Sequence, residues 1–410
     1  MLKIPKQPEI NIGTAGHVDH GKTTLVEAIT GIWTSKHSEE LRRGITIRVG
    51  YADAAIYKCK SCGEPECYSA SPQCPRCGKD TELRRVISFV DCPGHESLMV
   101  NMLSGAALMD GALLVIASNE RVPQPQTREH LLALQMMGMK HLVIVQNKVE
   151  LISDDEAFEN YRQIRNFVRG TMAEGAPIIP VSAQHKLNIN AVLQALEEHI
   201  PTPKRDISAK ALMQILRSFD INRPGISPKD LKGGVLGGSL IQGKLRVNEE
   251  IEIRPGIIDE RTQKSKPLYT KISSLATSAG FVDEVTPGGL IAIGTLLDPY
   301  LTKSDALLGS VVGRPNELPD ILESLNIKFF LFDTAVGTKE LIKVEPIKLG
   351  EHLRLNIGTA ATLGIVERTK SEEVFIKLKR PVCSLYNSRV AISRKIGDRW
   401  RLIGSGIIKE

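Results

Sequence analysis

The chain has 410 residues, of which 42% are hydrophobic and 24% are charged, and its formal net charge is +6. This length exceeds what one hydrophobic core usually supports, so two to four domains are expected. No apolar stretch approaches the roughly 20 residues of a membrane span, and the opening letters MLKIPK lack the apolar core of a signal peptide. We therefore expect a cytoplasmic protein without a membrane partner, and the mildly basic charge is compatible with RNA without requiring it.

A glycine-rich segment at 16–23, GHVDHGKT, lies between a predicted strand and a predicted helix that ends at Gly31. It matches the phosphate-binding P-loop, in which backbone N–H groups point at phosphate oxygens and a helix N-terminus adds a favourable dipole. We expect Lys22 to reach the terminal phosphates and Thr23 to bind Mg²⁺ through its hydroxyl. The remaining phosphate-binding residues are expected to be Asp19, His20, Gly21 and Thr24.

Up to about residue 200, apolar β-rich runs alternate with helical patterns. Each predicted strand is a continuous hydrophobic run, which indicates a parallel sheet buried on both faces. We therefore predict an α/β domain at 1–203 with a doubly wound, mostly parallel sheet. The predicted strands are 10–14, 86–90, 112–117, 142–146 and 178–181.

The segment PTPKRD at 201–206 ends this pattern, because two closely spaced prolines cannot continue the preceding helix. Short β segments follow, separated by Gly, Pro and Asp turns, and closed β-barrels are the simplest arrangement for them. The remaining length suits two small all-β barrel domains, which we place at 204–318 and 319–410.

Two segments have the features of switches that respond to a terminal phosphate. Asp91 opens the segment DCPG after a predicted strand, where we expect it to hold a Mg²⁺-bound water, and Gly94 is expected to offer its N–H to the γ-phosphate. His95 follows, where it can position the attacking water. In the segment RRGIT at 42–46, Thr46 can bring a hydroxyl to Mg²⁺; an ordinary exposed turn is the alternative interpretation.

Two further motifs predict recognition of guanine. The segment NKVE at 147–150 fits the element Asn-Lys-x-Asp with Glu150 in place of Asp. Its carboxylate can accept hydrogen bonds from guanine N1–H and the exocyclic amine, a pair that adenine does not offer. The loop SAQ at 182–184 can complete the pocket, with the Ala183 N–H facing guanine O6. The expected base-binding residues are Asn147, Lys148, Glu150, Ser182, Ala183 and Gln184.

Five of the seven cysteines lie within one short segment. Two Cys-x-x-Cys pairs supply four thiolates at the spacing of a tetrahedral zinc site, which in a reducing compartment is favoured over disulfides. We predict a structural zinc knuckle inserted at about 56–82; reduced thiols without metal are the alternative, and Cys67 has no place in the pattern. The predicted ligands are Cys59, Cys62, Cys74 and Cys77.

Several motifs together resemble the translational GTPases related to elongation factor Tu: GHVDHGKT, RGIT at 43–46, DCPGH at 91–95 and PQTREH at 125–130. Within that group, the cysteine insertion, NKVE, SFDIN at 218–222 and GGV at 233–235 resemble the γ-subunit family of archaeal and eukaryotic initiation factor 2. The resemblance covers nearly the whole chain, and the compact length favours the archaeal form.

The resemblance implies a GTPase that carries methionylated initiator tRNA to the small ribosomal subunit and hydrolyses GTP to GDP on release. It implies a heterotrimer with α and β subunits, and the cofactors GTP or GDP, Mg²⁺ and Zn²⁺. It also implies that Val18 and Ile45 form an apolar gate around His95. Asp19 and the Gly44 carbonyl are the implied ligands of a second Mg²⁺.

Two other functions remain open from the sequence. An elongation-type tRNA carrier, such as the selenocysteine-specific factor, shares the core motifs, although such factors are usually longer. A metabolic GTPase, such as a sulfate-activation subunit, would act with an enzyme partner and no RNA. Whether the basic run at 377–380 in the second barrel contacts RNA is also open.

Overall fold

The computed structural model describes residues 4–34, 46, 49–95, 98–259, 264–335 and 342–410. These residues divide into two compact units, one that ends at Pro203 and one that begins at Lys204. Among the helices of the described ranges, none combines the length and apolar character that crossing a bilayer requires.

The first unit contains a seven-stranded sheet in the order β3-β2-β4-β1-β5-β6-β7. Its strands are β1 (Ile10–Ala15), β2 (Gly50–Lys58), β3 (Tyr68–Ser69), β4 (Glu82–Asp91), β5 (Gly111–Ala117), β6 (Leu142–Asn147) and β7 (Ile178–Pro180). Its described helices are α1 (Lys22–Thr30), α2 (Met99–Ala106), α3 (Pro125–Met136), α4 (Asp154–Val168) and α5 (Ile189–His199), with a 3-10 turn at Val149–Leu151.

The sheet is parallel from β4 through β1, β5 and β6 to β7, whereas β2 runs antiparallel to both β4 and β3. Strands β1, β5 and β6 are buried along their whole length, as their unbroken apolar sequences predict. Because β1 lies between β4 and β5, the strand order reverses there, and such a point is where open α/β sheets bind ligands. The predicted α/β fold with a mostly parallel sheet is confirmed.

Local sequence explains where two of the helices begin and end. Helix α1 ends at Gly31, which has φ 72° and donates its N–H to the Glu27 carbonyl at 2.7 Å. This left-handed cap is the one that the sequence predicts. Helix α4 begins at a capping box, in which Ser153 and Glu156 satisfy each other's backbone N–H groups.

The second unit contains two closed β-barrels, as expected. The first closes in the order β11-β16-β8-β9-β15-β12 back to β11, with β13 added at β12, and β10 pairs separately with β14. Its strands are β8 (Leu212–Phe219), β9 (Val235–Gln242), β10 (Leu245–Arg246), β11 (Glu250–Ile258), β12 (Ser265–Thr277), β13 (Gly280–Val282), β14 (Glu284–Val285), β15 (Ile291–Thr295) and β16 (Val311–Gly313). Two 3-10 segments accompany them, at Pro228–Asp230 and Pro299–Asp305.

The second barrel closes in the order β17-β20-β19-β18-β21-β22. Its strands are β17 (Ile321–Leu331), β18 (His352–Ile357), β19 (Ala360–Thr369), β20 (Glu373–Cys383), β21 (Arg389–Ile396) and β22 (Arg399–Lys409). Each barrel has its own core of inward-facing aliphatic side chains. The division expected after residue 318 falls in the connection between β16 and β17.

A buried carboxylate secures this connection between the barrels. Glu252 is fully buried and accepts hydrogen bonds from Arg254 Nε at 2.6 Å, the Tyr269 hydroxyl at 3.0 Å and the Asn316 N–H at 3.0 Å. Burial pushes the pKa of Glu252 up, but these donors hold it below its ordinary value. Arg254 also donates to the carbonyls of Leu318 and Pro319, so β11 is tied to the segment that leads into β17.

Candidate nucleotide and metal sites

The P-loop folds back on its own lysine. Lys22 is 7% exposed, and its Nζ donates to the carbonyls of Gly16 at 3.0 Å and His17 at 2.5 Å. Burial lowers the pKa of Lys22 to about 8, although Asp91 opposes this shift. Gly16 has φ 136°, and a Cβ there would lie 2.2 Å from the Val115 carbonyl, so a side chain is excluded by conformation and by space.

Two buried histidines fix the backbone of the P-loop: His20 lies within the loop, and His130 lies in α3. The Gly16 N–H donates to His130 Nδ1 at 2.9 Å, and His20 Nδ1 lies 3.2 Å from the Val115 carbonyl oxygen. Both rings are almost completely buried. Burial lowers the pKa of His20 to about 4 and that of His130 to about 3, so both rings are neutral at pH 7.

Four threonine hydroxyls gather around Asp91 at the end of β4. Thr14 donates to Oδ1 at 2.7 Å, while Thr23 and Thr34 donate to Oδ2 at 2.7 and 2.5 Å. Thr46 Oγ1 lies 3.0 Å from Thr23 Oγ1. The structure thus brings together the three expected residues of the first Mg²⁺ site, and hydroxyl and carboxylate oxygens are the donors that Mg²⁺ prefers.

The Asp91 to Gly94 turn lies against the P-loop. A Cβ on Gly94 would be 2.4 Å from Lys22 Nζ and 3.0 Å from the backbone nitrogen of Val18. The next residue, His95, is half-buried, and its carbonyl accepts the Leu98 N–H at 2.9 Å. The expected gate residue Val18 therefore lies beside the turn that carries the expected water-positioning histidine.

Not every expected residue falls within the described chain. Ile45 and Gly44, the second gate residue and an implied ligand of a second Mg²⁺, lie outside the described residues. Asp19 is exposed with φ 60°, and Thr24 is half-buried in the first turn of α1.

One amide links the base-binding loops to the P-loop. Asn147 Nδ2 donates to the His20 carbonyl at 2.9 Å, and its Oδ1 accepts the Ala183 N–H at 3.0 Å. The Ala183 N–H, expected to face guanine O6, is thus engaged with Asn147 in this conformation. Gly21 leaves room for this contact, because a Cβ there would lie 2.3 Å from Asn147 Nδ2.

The other base-binding residues lie around this amide. Lys148 follows Asn147 with φ 65°, and Glu150 is exposed in the 3-10 turn that comes next. Ser182 is buried with its hydroxyl accepting the His185 N–H at 3.3 Å, and Gln184 is exposed.

The four knuckle cysteines converge between β2 and β4. Their sulfur atoms all lie within 4.8 Å of one another, and two pairs are 3.6 Å (Cys59 and Cys77) and 3.7 Å (Cys62 and Cys74) apart. Sulfurs around a tetrahedral zinc ion, with Zn–S of about 2.3 Å, are about 3.8 Å apart, so the donor set fits this metal. Cys67 is buried in the core beside them and does not belong to the cluster.

The environment of the knuckle favours a thiolate at one position. The N–H groups of Cys77 and Arg76 lower the pKa of Cys74 to about 6, whereas burial and the neighbouring thiols raise that of Cys62 to about 12. A bound cation would favour the deprotonated form of all four thiols.

Sequence reasoning missed three residues that tie distant parts of the first unit together. His130 lies in the motif PQTREH, which gave only a resemblance, and Thr34 carries no motif of its own. Arg85 is a buried arginine in β4 that donates to the carbonyls of Leu196 and Ile200 and pairs with Glu197 at 2.5 Å. Two adjacent arginines opening an apolar strand could have signalled such a partner at the end of α5.

The fold and the site define a P-loop GTPase of the translational class. Residues 7–202 match the family model described as "Elongation factor Tu GTP binding domain", and residues 323–408 match "Initiation factor eIF2 gamma, C terminal".

Curated relatives identify the branch of this class. The chain is 57% identical to translation initiation factor 2 subunit gamma of Archaeoglobus fulgidus, over 100% of this chain and 96% of that protein. It is 58% identical to the same subunit of Methanocaldococcus jannaschii, over 99% of each chain. The chain belongs to the family of the γ subunit of translation initiation factor 2, and the expected function of a translation initiation GTPase is confirmed.

Solved structures show the same architecture at lower identity. A bacterial selenocysteine-specific elongation factor aligns with TM-score 0.73 and 21% identity over 98% of this chain and 58% of that one. The elongation factor SelB from Methanococcus maripaludis, in complex with the GTP analogue GppNHp, aligns with TM-score 0.71 and 20% identity over 99% of this chain and 80% of that one. This likeness shows the fold alone. Because the relatives that are 57–58% identical are initiation factor subunits, the initiation function is better supported than the elongation-type alternative.

Proposed function

We propose that the chain carries methionylated initiator tRNA to the small ribosomal subunit in the cytoplasm, in a heterotrimer with α and β subunits. GTP favours the tRNA-bound form, and hydrolysis to GDP accompanies release. The observation that carries the proposal is the contact of Gly94 with Lys22, because it joins the phosphate-binding loop to a switch turn within a chain of this family.

The nucleotide site works through residues already held in place. Lys22 can exchange its bonds to the loop carbonyls for bonds to the β- and γ-phosphates, while the Gly94 N–H senses the γ-phosphate. Asn147 fixes the loop that carries Lys148 and Glu150, and Glu150 accepts hydrogen bonds from guanine. The other base-pocket residues are Ser182, Ala183 and Gln184.

Mg²⁺, when bound, neutralises charge on the phosphate oxygens. Thr23 and Thr46 would hold it through their hydroxyls and Asp91 through a water molecule. His95 positions the attacking water, and Val18 with Ile45 restrains that histidine until hydrolysis is due. For a second Mg²⁺ the proposed ligands are Asp19 and the Gly44 carbonyl.

The knuckle cysteines would hold a structural zinc ion. Cys59, Cys62, Cys74 and Cys77 fill a tetrahedral coordination sphere, so no position is left open for a substrate. We assign this site to stabilising the hairpin formed by β2 and β4 rather than to chemistry.

Filter binding tests the carrier function. The heterotrimer reconstituted from the full chain with its α and β subunits should retain methionylated initiator tRNA more tightly with a non-hydrolysable GTP analogue than with GDP. Elongator tRNA should bind more weakly in both states. Equal retention of initiator tRNA with both nucleotides contradicts the proposal.

A loop variant and a salt series sharpen the test. Lys22→Met should abolish the difference between nucleotides, whereas the exposed Lys140→Met should keep it. Affinity should also fall steeply between two salt concentrations, because phosphate contacts release counterions. A flat salt response would favour a metabolic GTPase without RNA.

A further inference from the structure

Thr34 belongs to no motif, yet it contacts Asp91, the carboxylate that is proposed to hold a Mg²⁺-bound water. It follows α1, and its hydroxyl donates to Asp91 Oδ2 at 2.5 Å, closer than the 2.7 Å bond from Thr23 to the same oxygen. A short bond between a hydroxyl and a carboxylate is typical of a strong, charge-assisted interaction.

A glycine leaves the space that the Thr34 side chain occupies. Gly50 is the register partner of Asp91 across β2 and β4, and a Cβ on Gly50 would lie 2.7 Å from Thr34 Cβ and 3.2 Å from its Oγ1. A side chain at position 50 would therefore force Thr34 to shift from this position. The space left by Gly50 is thus what allows Thr34 to approach Asp91.

The Asp91 carboxylate has a limited number of acceptor sites. Each of its oxygens has about two lone pairs. Both lone pairs of Oδ2 accept hydrogen bonds, one from Thr23 and one from Thr34. Oδ1 accepts a hydrogen bond from the buried Thr14. Since Thr23 is itself the expected metal ligand, Oδ2 is the oxygen that faces the metal. A metal-bound water that donates to Oδ2 must displace Thr34.

We propose that the Thr34 hydroxyl competes with a water of the Mg²⁺ hydration shell for Asp91 Oδ2, so that Thr34 lowers the affinity of the GDP-bound protein for Mg²⁺. The hydroxyl also compensates part of the carboxylate charge that attracts the cation. Any interaction that favours the metal-free form over the metal-bound form weakens metal binding by the same free energy. This inference rests on the proposed nucleotide and Mg²⁺ site.

Direct metal binding tests the proposal without measuring GTP hydrolysis. Mn²⁺ is titrated into the GDP-loaded full chain, and the free ion is followed by electron paramagnetic resonance. Thr34→Val keeps the shape of the side chain and removes the hydroxyl, so it should tighten Mn²⁺ binding about ten-fold, the order expected for one hydrogen bond to a charged group. Thr34→Ser keeps the hydroxyl and should bind as the unsubstituted chain does.

Two further variants separate this role from general damage. Gly50→Ala should tighten Mn²⁺ binding as Thr34→Val does, because it displaces Thr34 without removing it. Thr171→Val should leave binding unchanged, because that hydroxyl donates to the Val168 carbonyl at the end of α4 and not to the segment that carries Thr34.

Unchanged or weaker Mn²⁺ binding by Thr34→Val overturns the competition, and so does Thr34→Ser behaving like Thr34→Val. If the unsubstituted chain binds neither GDP nor Mn²⁺, the proposed nucleotide site itself fails, which is a separate result.

Discussion

Asn147 shows how a single side chain can organise a site. It is 2% exposed and bonds both the His20 carbonyl in the P-loop and the Ala183 N–H in the base loop. Asn147→Ala leaves both partners buried without a hydrogen bond, so we expect the free energy of unfolding to fall by about 2–4 kcal/mol. Urea unfolding without nucleotide measures this cost. Asn166→Ala, on the exposed face of α4, is the control and should cost less than half as much.

The buried histidine beneath the P-loop predicts a pH dependence. The pKa of His130 is lowered to about 3 by burial, from an ordinary value of 6.5. The unfolded chain therefore binds more protons than the folded chain below pH 6.5. This contribution to stability is complete above that pH and is lost as the pH falls toward 3.

Urea unfolding between pH 7 and pH 5 should show this loss, and His130→Gln should make the dependence shallower. His185→Gln, in an exposed loop, is the matched control and should leave the slope unchanged. Equal slopes for His130→Gln and the unsubstituted chain would contradict the assignment.

At the scale of elements, the knuckle is an extension of a hairpin that also reaches the nucleotide site. Strand β4 leaves the knuckle at Glu82 and ends at Asp91, and β2 pairs with it along this length. We expect the unsubstituted chain to carry about one zinc ion per molecule. Cys74→Ser should lose this zinc ion and should melt at a lower temperature than the unsubstituted chain. Zinc analysis by mass spectrometry checks this. Cys92→Ser, outside the knuckle, should retain the metal, and full zinc content in Cys74→Ser would argue against a four-thiolate site.

The elements that sequence predicts best are those with local causes. Strands β1 and β5 follow from continuous apolar runs, and the P-loop and the cysteine pairs follow from spacing. The placement of Thr34 depends instead on the pairing of Gly50 with Asp91, and that of His130 on a bond across 114 positions of the chain. Such distant register is set by tertiary packing, which no local pattern in the sequence contains.

The barrel strands show the same limit. Segments such as 251–254 and 373–378 have strand-like sequences and lie in β11 and β20, whereas β9 (VLGGSLIQ) and β22 (RWRLIGSGIIK) carry a weaker strand signal. Both strands interrupt their apolar residues with Gly and Ser, so their hydrophobic signal is weak until the barrel closes and buries one face. Closure itself could be expected from turn spacing alone.

For the whole molecule, the division into two units predicts where a ligand stabilises the chain. The proposed nucleotide site lies entirely within the unit that ends at Pro203. GDP with Mg²⁺ at about 100 times its dissociation constant should stabilise this unit by about 2.7 kcal/mol. Hydrogen exchange should slow at the amides of β1, β5 and β6. Lys22→Met should remove this protection, and slowing confined to the barrel strands would place the ligand elsewhere.

The two edge strands of the α/β sheet have a consequence for contacts with other molecules. Both barrels close on themselves, and the open sheet terminates in β3, with two residues, and β7, with three residues including Pro180. Edge strands this short offer another polypeptide few backbone groups for hydrogen bonding, and Pro180 in β7 has no N–H to donate. At β3 and β7, pairing with a strand of a second molecule is therefore disfavoured.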